Sequence, residues 1–188
     1  MSVTAIDHVT VIGAGNMGHG IAEVTAIAGC DVTLRAIEGD LVEDGYEDVE
    51  WSLRKLDEKG RLDESPEEIL SRVDTAVDLE EAVSHADLVV EAAPERMSIE
   101  KDLFADLDEY TDEDAILASN TSSLSTTETA TATDRSGRDV GTHFFNPPVK
   151  TDLVEAIYGE ETSDETAETA HDWVESIDRT PIYTSGRR

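Results

Sequence analysis

Short apolar runs alternate along the chain with longer segments in which apolar residues recur every three or four positions. The short runs, rich in valine and isoleucine, predict strands at Ile6–Ile12, Asp31–Ala36, Ala86–Glu91, Ala115–Ser119, Val140–Phe145, Leu153–Tyr158 and Ile182–Tyr183. The other spacing predicts helices at Asn16–Ala28, Gly39–Lys59, Ile99–Leu107, Leu124–Ala132 and Ser163–Ile177, with a further helix start at Ser65-Pro66. Strands that alternate with helices favour an α/β fold, in which helices cover both faces of a mostly parallel sheet.

A glycine-rich turn that fits the pattern G-x-G-x-x-G lies between the first strand and the first helix. Its residues are Gly13, Ala14, Gly15, Asn16, Met17 and Gly18. In such a turn the first glycine permits the tight bend, the second lets the backbone approach a pyrophosphate, and the third allows close packing of helix on strand. The helix N-terminus adds N–H donors and a partial positive charge. Strand, loop and helix together predict a doubly wound, Rossmann-type domain over residues 1–188 that binds a dinucleotide.

The end of the second predicted strand departs from the usual dinucleotide pattern. An acidic residue there ordinarily binds the adenosine ribose hydroxyls, but Ala36 occupies the place. Glu38 lies two residues further on and could reach the ribose from the loop. Arg35 leaves NADP open, because an arginine can accommodate a 2′-phosphate, although its side chain can equally point to the other side of the strand. We expect NAD, bound more weakly than an acid at position 36 would allow.

The charge balance is strongly acidic, with 44 Asp and Glu against 14 Lys and Arg and a net charge of -30. Such a surface repels nucleic acid and anionic membranes, because both need basic residues to neutralise phosphates. The acids are spread along the whole chain, as in proteins of salt-loving organisms, where ions screen the repulsion.

The first residues carry neither a basic segment nor a long apolar core, so we expect a cytoplasmic protein. The five histidines are scattered, and no metal site is predicted.

Later segments carry the candidate reaction chemistry: S-N-T-S-S-L at 119–124, H-F-F-N-P-P at 143–148 and L-V-E at 153–155. Oxidation of a secondary alcohol needs a base for the hydroxyl proton, and histidine suits that role. A carboxylate on the other ring nitrogen fixes the tautomer and stabilises the imidazolium. A hairpin centred on Val149 would place His143 directly opposite Glu155, with Phe145 opposite Leu153. We therefore expect the His143 and Glu155 side chains to lie within hydrogen-bond range.

With these segments and V-V-E-A-A-P-E-R-M at 89–97, the chain resembles the 3-hydroxyacyl-CoA dehydrogenases from about Val9 to about Thr180. The resemblance implies NAD-dependent oxidation of an L-3-hydroxyacyl-CoA to a 3-oxoacyl-CoA in fatty-acid or butanoate metabolism. It implies that His143 is the base and that Glu155 orients it. It also implies that Ser122 hydrogen-bonds the substrate oxygen, close to both the cofactor and the CoA substrate.

Further matches to the family concern the cofactor and the CoA group. By resemblance, Asn146 lies next to the nicotinamide and Glu95 lines the NAD site. Ser52 and Lys59 match positions that contact CoA. A lysine suits this role because CoA is anionic and the protein around it is acidic.

Two features depart from the family pattern. Glu100 stands where the family has a lysine that reaches the cofactor, so either Lys101 takes over that contact through a small shift of the helix or the contact is lost. In addition, family members continue past the strand at Ile182 into a helical domain that completes the active site and carries the dimer interface. This sequence stops at Arg188, and we expect that domain to be absent.

Four interpretations stay open from the residues alone. The chain is an active 3-hydroxyacyl-CoA dehydrogenase, a truncated NAD-binding module with little or no activity, or half of a split enzyme completed in trans by a separate helical polypeptide. The fourth is a related sugar-acid dehydrogenase, which needs no CoA contacts. Assembly of the chain into a homo-oligomer is also left open. Because catalysis requires the reacting atoms to be positioned within a fraction of an ångström, a half-built cleft favours low activity.

Overall fold

A computed structural model of the protein describes residues 6–93, 97–120 and 130–185. Within these ranges the strands are β1 His8–Ile12, β2 Asp31–Arg35, β3 Val73–Ala76, β4 Leu88–Glu91, β5 Ile116–Ser119, β6 Asp139–Phe144, β7 Leu153–Tyr158 and β8 Thr180–Ser185. The helices of the same ranges are α1 Asn16–Ile27, α2 Gly39–Asp57, α3 Pro66–Leu70, α4 Leu79–Val83, α5 Met97–Tyr110 and α6 Asp164–Ser176. None of these helices combines the length and the apolar character that a membrane span requires.

All the described strands join one sheet in the order β3-β2-β1-β4-β5-β6-β7-β8. The pairs from β3 across to β6 are parallel, and so is the pair of β7 with β8. Of the described pairs, only that of β6 with β7 is antiparallel. This confirms the predicted mostly parallel α/β sheet and brings the carboxyl ends of β1, β4, β5 and β6 to one edge.

Hydrophobic residues pack on both faces of this sheet, as the alternation of side chains along a strand requires. On one face, Val90 of β4 joins a core with Leu53 of α2 and Trp173 of α6. On the other face, Val89 joins a second core with Phe104 of α5. Helices therefore cover both faces, which confirms the doubly wound arrangement.

Two short elements are not predicted by the sequence pattern. Strand β3 has four residues, of which only Val73 is buried, so an edge strand shows no apolar run. Helix α4 has five residues, too few to reveal a helical period, and the Asp78 side chain caps its N-terminus by accepting a hydrogen bond from the Glu81 N–H at 2.9 Å. Helix α3 begins at Pro66, as predicted, with Ser65 and Glu68 forming a reciprocal cap. Most of the predicted helix at Leu124–Ala132 lies outside the described residues.

Candidate active site

The glycine loop is folded so tightly that two of its glycines leave no room for a side chain. Gly13 has φ +103, and a Cβ there would lie 2.7 Å from the carbonyl oxygen of Ala92. A Cβ on Gly18 would lie 1.6 Å from the carbonyl oxygen of Gly13. Gly15, in contrast, has open space on the side where a Cβ would point. The space at the N-terminus of α1 therefore fits an anionic pyrophosphate, and the residues present suit a dinucleotide.

A cavity of about 610 Å³ extends from this loop, and Ala14, Asn16 and Met17 line it together with Gly13 and Gly15. Its opposite wall is helix α2, which approaches closely because Gly45 has no side chain. A Cβ on Gly45 would lie 2.7 Å from both the Cβ and the carbonyl oxygen of Ala14. The cofactor cavity is thus shaped by the contact of α2 with the glycine loop.

The end of β2 forms another wall of this cavity. Ala36 is buried there and lines the cavity. Arg35 also lines it, but its Nε donates a hydrogen bond to the carbonyl of Val77 at 3.0 Å. Glu38 is exposed at the N-cap of α2 and is not among the lining residues. The acidic residues that line the cavity on α2, on either side of Gly45, are Asp44 and Asp48.

His143 and Glu155 face each other across the antiparallel pair of β6 and β7. The His143 Nδ1 lies 2.7 Å from the Glu155 Oε2, and the two side chains are 19% and 33% exposed. This confirms the predicted register and hydrogen bond at these two residues. Phe145 lies just past the end of β6, with its ring 4.8 Å from the His143 imidazole.

Strand register places His143 at the same edge as the glycine loop. Ile12 of β1, Glu91, Ser119 and Gly141 form one row of neighbours across the sheet, and His143 lies two residues beyond Gly141. Three strand spacings separate β1 from β6, or roughly 14 Å. A dinucleotide that starts at the loop would therefore extend along this edge toward the imidazole.

Asn120 is a positioning residue that the sequence interpretation missed. Its side-chain oxygen accepts a hydrogen bond from the Phe144 N–H at 2.8 Å, next to His143. Its own backbone N–H donates to the Glu91 carbonyl at 2.8 Å. Asn120 thus ties together the ends of β4, β5 and β6. The S-N-T-S-S-L segment contains this residue, but the family resemblance draws attention to Ser122 alone.

The two residues predicted to contact CoA lie in different settings. Ser52 is half-buried on α2 and lines a second cavity of about 220 Å³ together with His19 and Glu23. Burial raises the pKa of Glu23 to about 7, although a hydrogen bond from Ser52 and the charge of Arg179 lower it. Lys59 is exposed just beyond the end of α2.

The remaining predicted cofactor residues are only partly described. Asn146 is exposed, two residues past the end of β6. Lys101 is half-buried on α5 and has an interaction partner. Glu95 and Ser122 lie outside the described residues, so their predicted roles stay predictions.

A small group on α6 could offer metal ligands. Among the residues that the structure describes, His171, Asp172 and Glu175 have ligand atoms within 4.8 Å of one another. The His171 ring also stacks on Tyr183, with centroids 5.2 Å apart. Exposed neighbours of this kind on one helix are common without a metal, and the absence of a metal site stays a prediction.

Comparison with known proteins decides the family. Residues 8–187 match the family described as 3-hydroxyacyl-CoA dehydrogenase, NAD binding domain. The chain belongs to the 3-hydroxyacyl-CoA dehydrogenase family. Because the matched domain is an NAD-binding domain, the comparison confirms NAD as the cofactor predicted for the glycine loop.

One relative of this chain is a probable 3-hydroxybutyryl-CoA dehydrogenase of Deinococcus radiodurans. The two sequences are 44% identical over 172 residues, and the match covers 92% of this chain and 62% of that protein. The human mitochondrial hydroxyacyl-coenzyme A dehydrogenase is 40% identical over 183 residues, covering 94% of this chain and 58% of the human protein. A solved structure of the Escherichia coli 3-hydroxybutyryl-CoA dehydrogenase has a TM-score of 0.94 at 35% identity, covering 97% of this chain and 39% of that one. The chain thus spans only part of the length of these relatives.

Proposed function

We propose that this chain is the NAD-binding and proton-transferring part of an enzyme that interconverts an L-3-hydroxyacyl-CoA and a 3-oxoacyl-CoA. We place this reaction in fatty-acid and butanoate metabolism. The observation that carries the proposal is the 2.7 Å contact between His143 and Glu155, at the sheet edge where the glycine loop begins. Relatives named as 3-hydroxybutyryl-CoA and hydroxyacyl-coenzyme A dehydrogenases support the substrate class.

The glycine loop would hold the cofactor through its backbone. Gly13 and Gly18 keep the turn tight, and the open space at Gly15 receives the pyrophosphate at the N-terminus of α1. NAD, when bound, supplies an acceptor for the hydride that leaves the substrate carbon. The protein's own side chains must then take the hydroxyl proton.

His143 is arranged to take that proton at its Nε2 atom. Because the Glu155 carboxylate accepts a hydrogen bond from Nδ1–H, the lone pair of the neutral ring lies on Nε2. The hydroxyl proton moves to Nε2, and the positive imidazolium is stabilised by Glu155, which keeps its negative charge. In the reverse direction Nε2 returns the proton to the carbonyl oxygen. Ser122, by resemblance, would bind this oxygen.

Ser52 and Lys59 are proposed to contact the CoA group. The half-buried position of Ser52 at the second cavity supports a specific contact. Lys59, exposed at the end of α2, would attract the anionic ligand in a protein whose net charge is -30. The same charge supports the proposal that the protein works in a salt-rich cytoplasm.

The direct test is NADH-dependent reduction of acetoacetyl-CoA in concentrated potassium chloride. The reaction is measured as the decrease in NADH absorbance. His143→Gln should abolish most of the activity. His85→Gln is the matched control, since His85 is exposed and away from the dyad in sequence. A wild-type rate that His143→Gln leaves unchanged would contradict the assigned base.

A second arm of the assay distinguishes the alternatives. It adds, as a separate polypeptide, the part of the Deinococcus relative that this chain does not cover. Activity that appears only after this addition supports an enzyme completed in trans. If neither arm shows activity while NAD still binds, the proposed reaction is wrong for this chain, and the interpretation as a nucleotide-binding module is favoured.

A further inference from the structure

A tryptophan is exposed on α2 beside the serine that is proposed to contact CoA. The protein has two tryptophans. Trp173 lies in the core and is 2% exposed, whereas Trp51 is 65% exposed. Tryptophan is enriched at surfaces that bind other molecules, because its large ring contributes much contact area there. Trp51 directly precedes Ser52 in the chain, and both residues line the second cavity.

The turn between β6 and β7 supplies an apolar wall of this cavity. Pro147, Pro148 and Val149 line it together with Trp51. Pro148 is packed closely on α1, since a Cβ on Gly20 would lie 2.9 Å from the proline ring. The cavity volume of about 220 Å³ is smaller than the roughly 300–1,000 Å³ of sites that enclose a whole ligand. The cavity therefore suits one ring system of a larger molecule.

The cavity also offers a hydrogen-bond acceptor that the protein itself does not use. Glu23 of α1 lines the cavity and is only 1% exposed. A hydrogen bond from Ser52 reaches its carboxyl group, but its Oε1 atom has no hydrogen-bond partner among the residues that the structure describes. A buried polar atom without a partner costs free energy. A ligand that brings an N–H donor into the cavity, such as the exocyclic amine of adenine, satisfies this oxygen.

Positive charge lies close to Trp51, although the chain as a whole is strongly acidic. Lys150 is exposed and lines the cavity. The segment 51–61 contains four basic residues and two acidic ones. Asp48 also lines the cavity, and its Oδ2 lies 3.6 Å from the Nδ1 of His19. The part of the cavity near Lys150 therefore suits an anionic group.

A ring-sized cavity, an acceptor for an amine and a nearby cation together suit a phosphorylated adenine nucleotide. Aromatic side chains bind bases by stacking, and a lysine binds phosphate as a point charge. We propose that Trp51 stacks on the adenine base of CoA and that Lys150 binds its phosphates, so that this cavity holds the nucleotide end of the substrate. The identity of this ligand rests on the acyl-CoA reaction proposed above. NAD also contains adenine, but its cavity at the glycine loop has only Asn16 and Asp48 in common with this one among the described lining residues.

Tryptophan fluorescence tests the stacking, with the cofactor site first filled by saturating NAD. CoA and adenosine 3′,5′-bisphosphate should both quench the wild-type signal, because a base stacked on an indole quenches it. Pantetheine, which has no base, should leave the signal unchanged. In Trp51→Phe only the buried Trp173 remains, and no ligand should quench it. Quenching that persists in Trp51→Phe, or that pantetheine also produces, would overturn the inference.

CoA affinity, measured by calorimetry, tests the contribution of each residue. Trp51→Ala should lose about tenfold, as expected from the removal of one base–aromatic stack, whereas Trp51→Phe should stay within about threefold of wild type because it keeps an aromatic ring. Lys150→Gln should weaken CoA binding and make it less dependent on potassium chloride, since salt screens an exposed charge pair. Glu43→Ala, at an exposed position of the same helix, is the control and should bind CoA like the wild type.

The remaining outcomes separate this site from other roles of Trp51. Equal CoA affinity in wild type and Trp51→Ala would overturn the inference, and so would a wild type that does not bind CoA. A molecular mass that light scattering finds lowered in Trp51→Ala, at unchanged CoA affinity, would overturn it in favour of an interface between copies of this chain. No readout uses the dehydrogenase reaction. The expected quenching and affinities without turnover would contradict the proposed reaction and support the nucleotide site.

Discussion

The Nδ1 of His143 and the Oε2 of Glu155 lie 2.7 Å apart because the two residues occupy facing positions on antiparallel strands. The other described strand pairs in the sheet are parallel. The change of direction between β6 and β7 thus allows residues only twelve positions apart to meet at the cofactor edge. In the proposed function, this contact leaves the Nε2 atom of His143 to accept the proton.

Glu155→Ala should remove the preference for the tautomer with a proton on Nδ1. The expected signature is a change in the nitrogen-15 shifts of the His143 ring in the neutral state. Turnover should fall by roughly 10²- to 10⁴-fold, the usual contribution of general acid–base catalysis, while NAD affinity stays the same. Glu161→Gln, exposed after β7, is the control for charge removal. A tautomer preference that persists in Glu155→Ala would contradict the orienting role.

Gly45→Ala should weaken NAD binding because the added methyl group meets Ala14 at 2.7 Å. Overpacking of this kind costs about 1–3 kcal/mol, and we expect about a tenfold loss of affinity, equivalent to about 1.4 kcal/mol, with reduced stability. Gly39→Ala is the matched control on the same helix, since nothing lies within 4 Å of its Cβ position. Calorimetric titration with NAD and thermal unfolding measure both effects. Equal behaviour of the two variants would show that the α2 contact does not shape the cavity.

Ala36→Asp should strengthen NAD binding. Position 36 is buried and lines the cavity at the end of β2, where a carboxylate ordinarily accepts hydrogen bonds from the ribose hydroxyls. Hydrogen bonds to a charged group contribute about 1.5–3 kcal/mol, so we expect about a tenfold or greater gain for NAD and none for NADP. Glu38→Gln serves as the comparison: a large loss of NAD affinity in this variant would show that Glu38 already binds the ribose from its exposed position.

Glu23→Gln should make the protein more stable at alkaline pH. Burial raises the pKa of Glu23 from 4.5 to about 7, so the folded state keeps a proton that the unfolded chain releases. Stability is therefore lost between about pH 4.5 and 7 and stays reduced above pH 7. The loss is on the order of 3 kcal/mol, since one pKa unit corresponds to about 1.4 kcal/mol. Urea unfolding from pH 5 to 8 should show a flatter profile for Glu23→Gln, and an unchanged one for the exposed control Glu47→Gln.

Potassium chloride should raise the Tm of the protein. A net charge of -30 on 188 residues produces strong self-repulsion, which salt screens as the Debye length shortens from about 10 Å at 0.1 M to about 3 Å at 1 M. Most of the gain should therefore appear below about 1 M. A Tm that is constant or falls over this range would contradict the proposal of a salt-rich setting.

The strands of the central sheet could be predicted from the sequence, because buried parallel strands are continuous runs of apolar residues. A run such as Leu88–Glu91 cannot be distinguished from a buried helix segment by its period, but its short length favours a strand. Strand β3 and helix α4 could not be predicted in this way, because their few residues carry no period. From the sequence, Glu100 was interpreted only as the replacement of a family lysine whose contact is either taken over by Lys101 or lost, whereas the structure brings Glu100 to Ser119.

Local patterns alone determined the glycine loop, the dinucleotide as ligand and the facing positions of His143 and Glu155. Each of these depends on residues close together in the chain, where the spacing of glycines or the period of two in a strand limits the geometry. Only the tertiary structure decided that Glu91 and Glu100 meet at Ser119, that Asn120 joins three strands, and that α2 closes on the loop at Gly45. These contacts join distant segments, whose proximity depends on strand order and helix packing rather than on any local spacing.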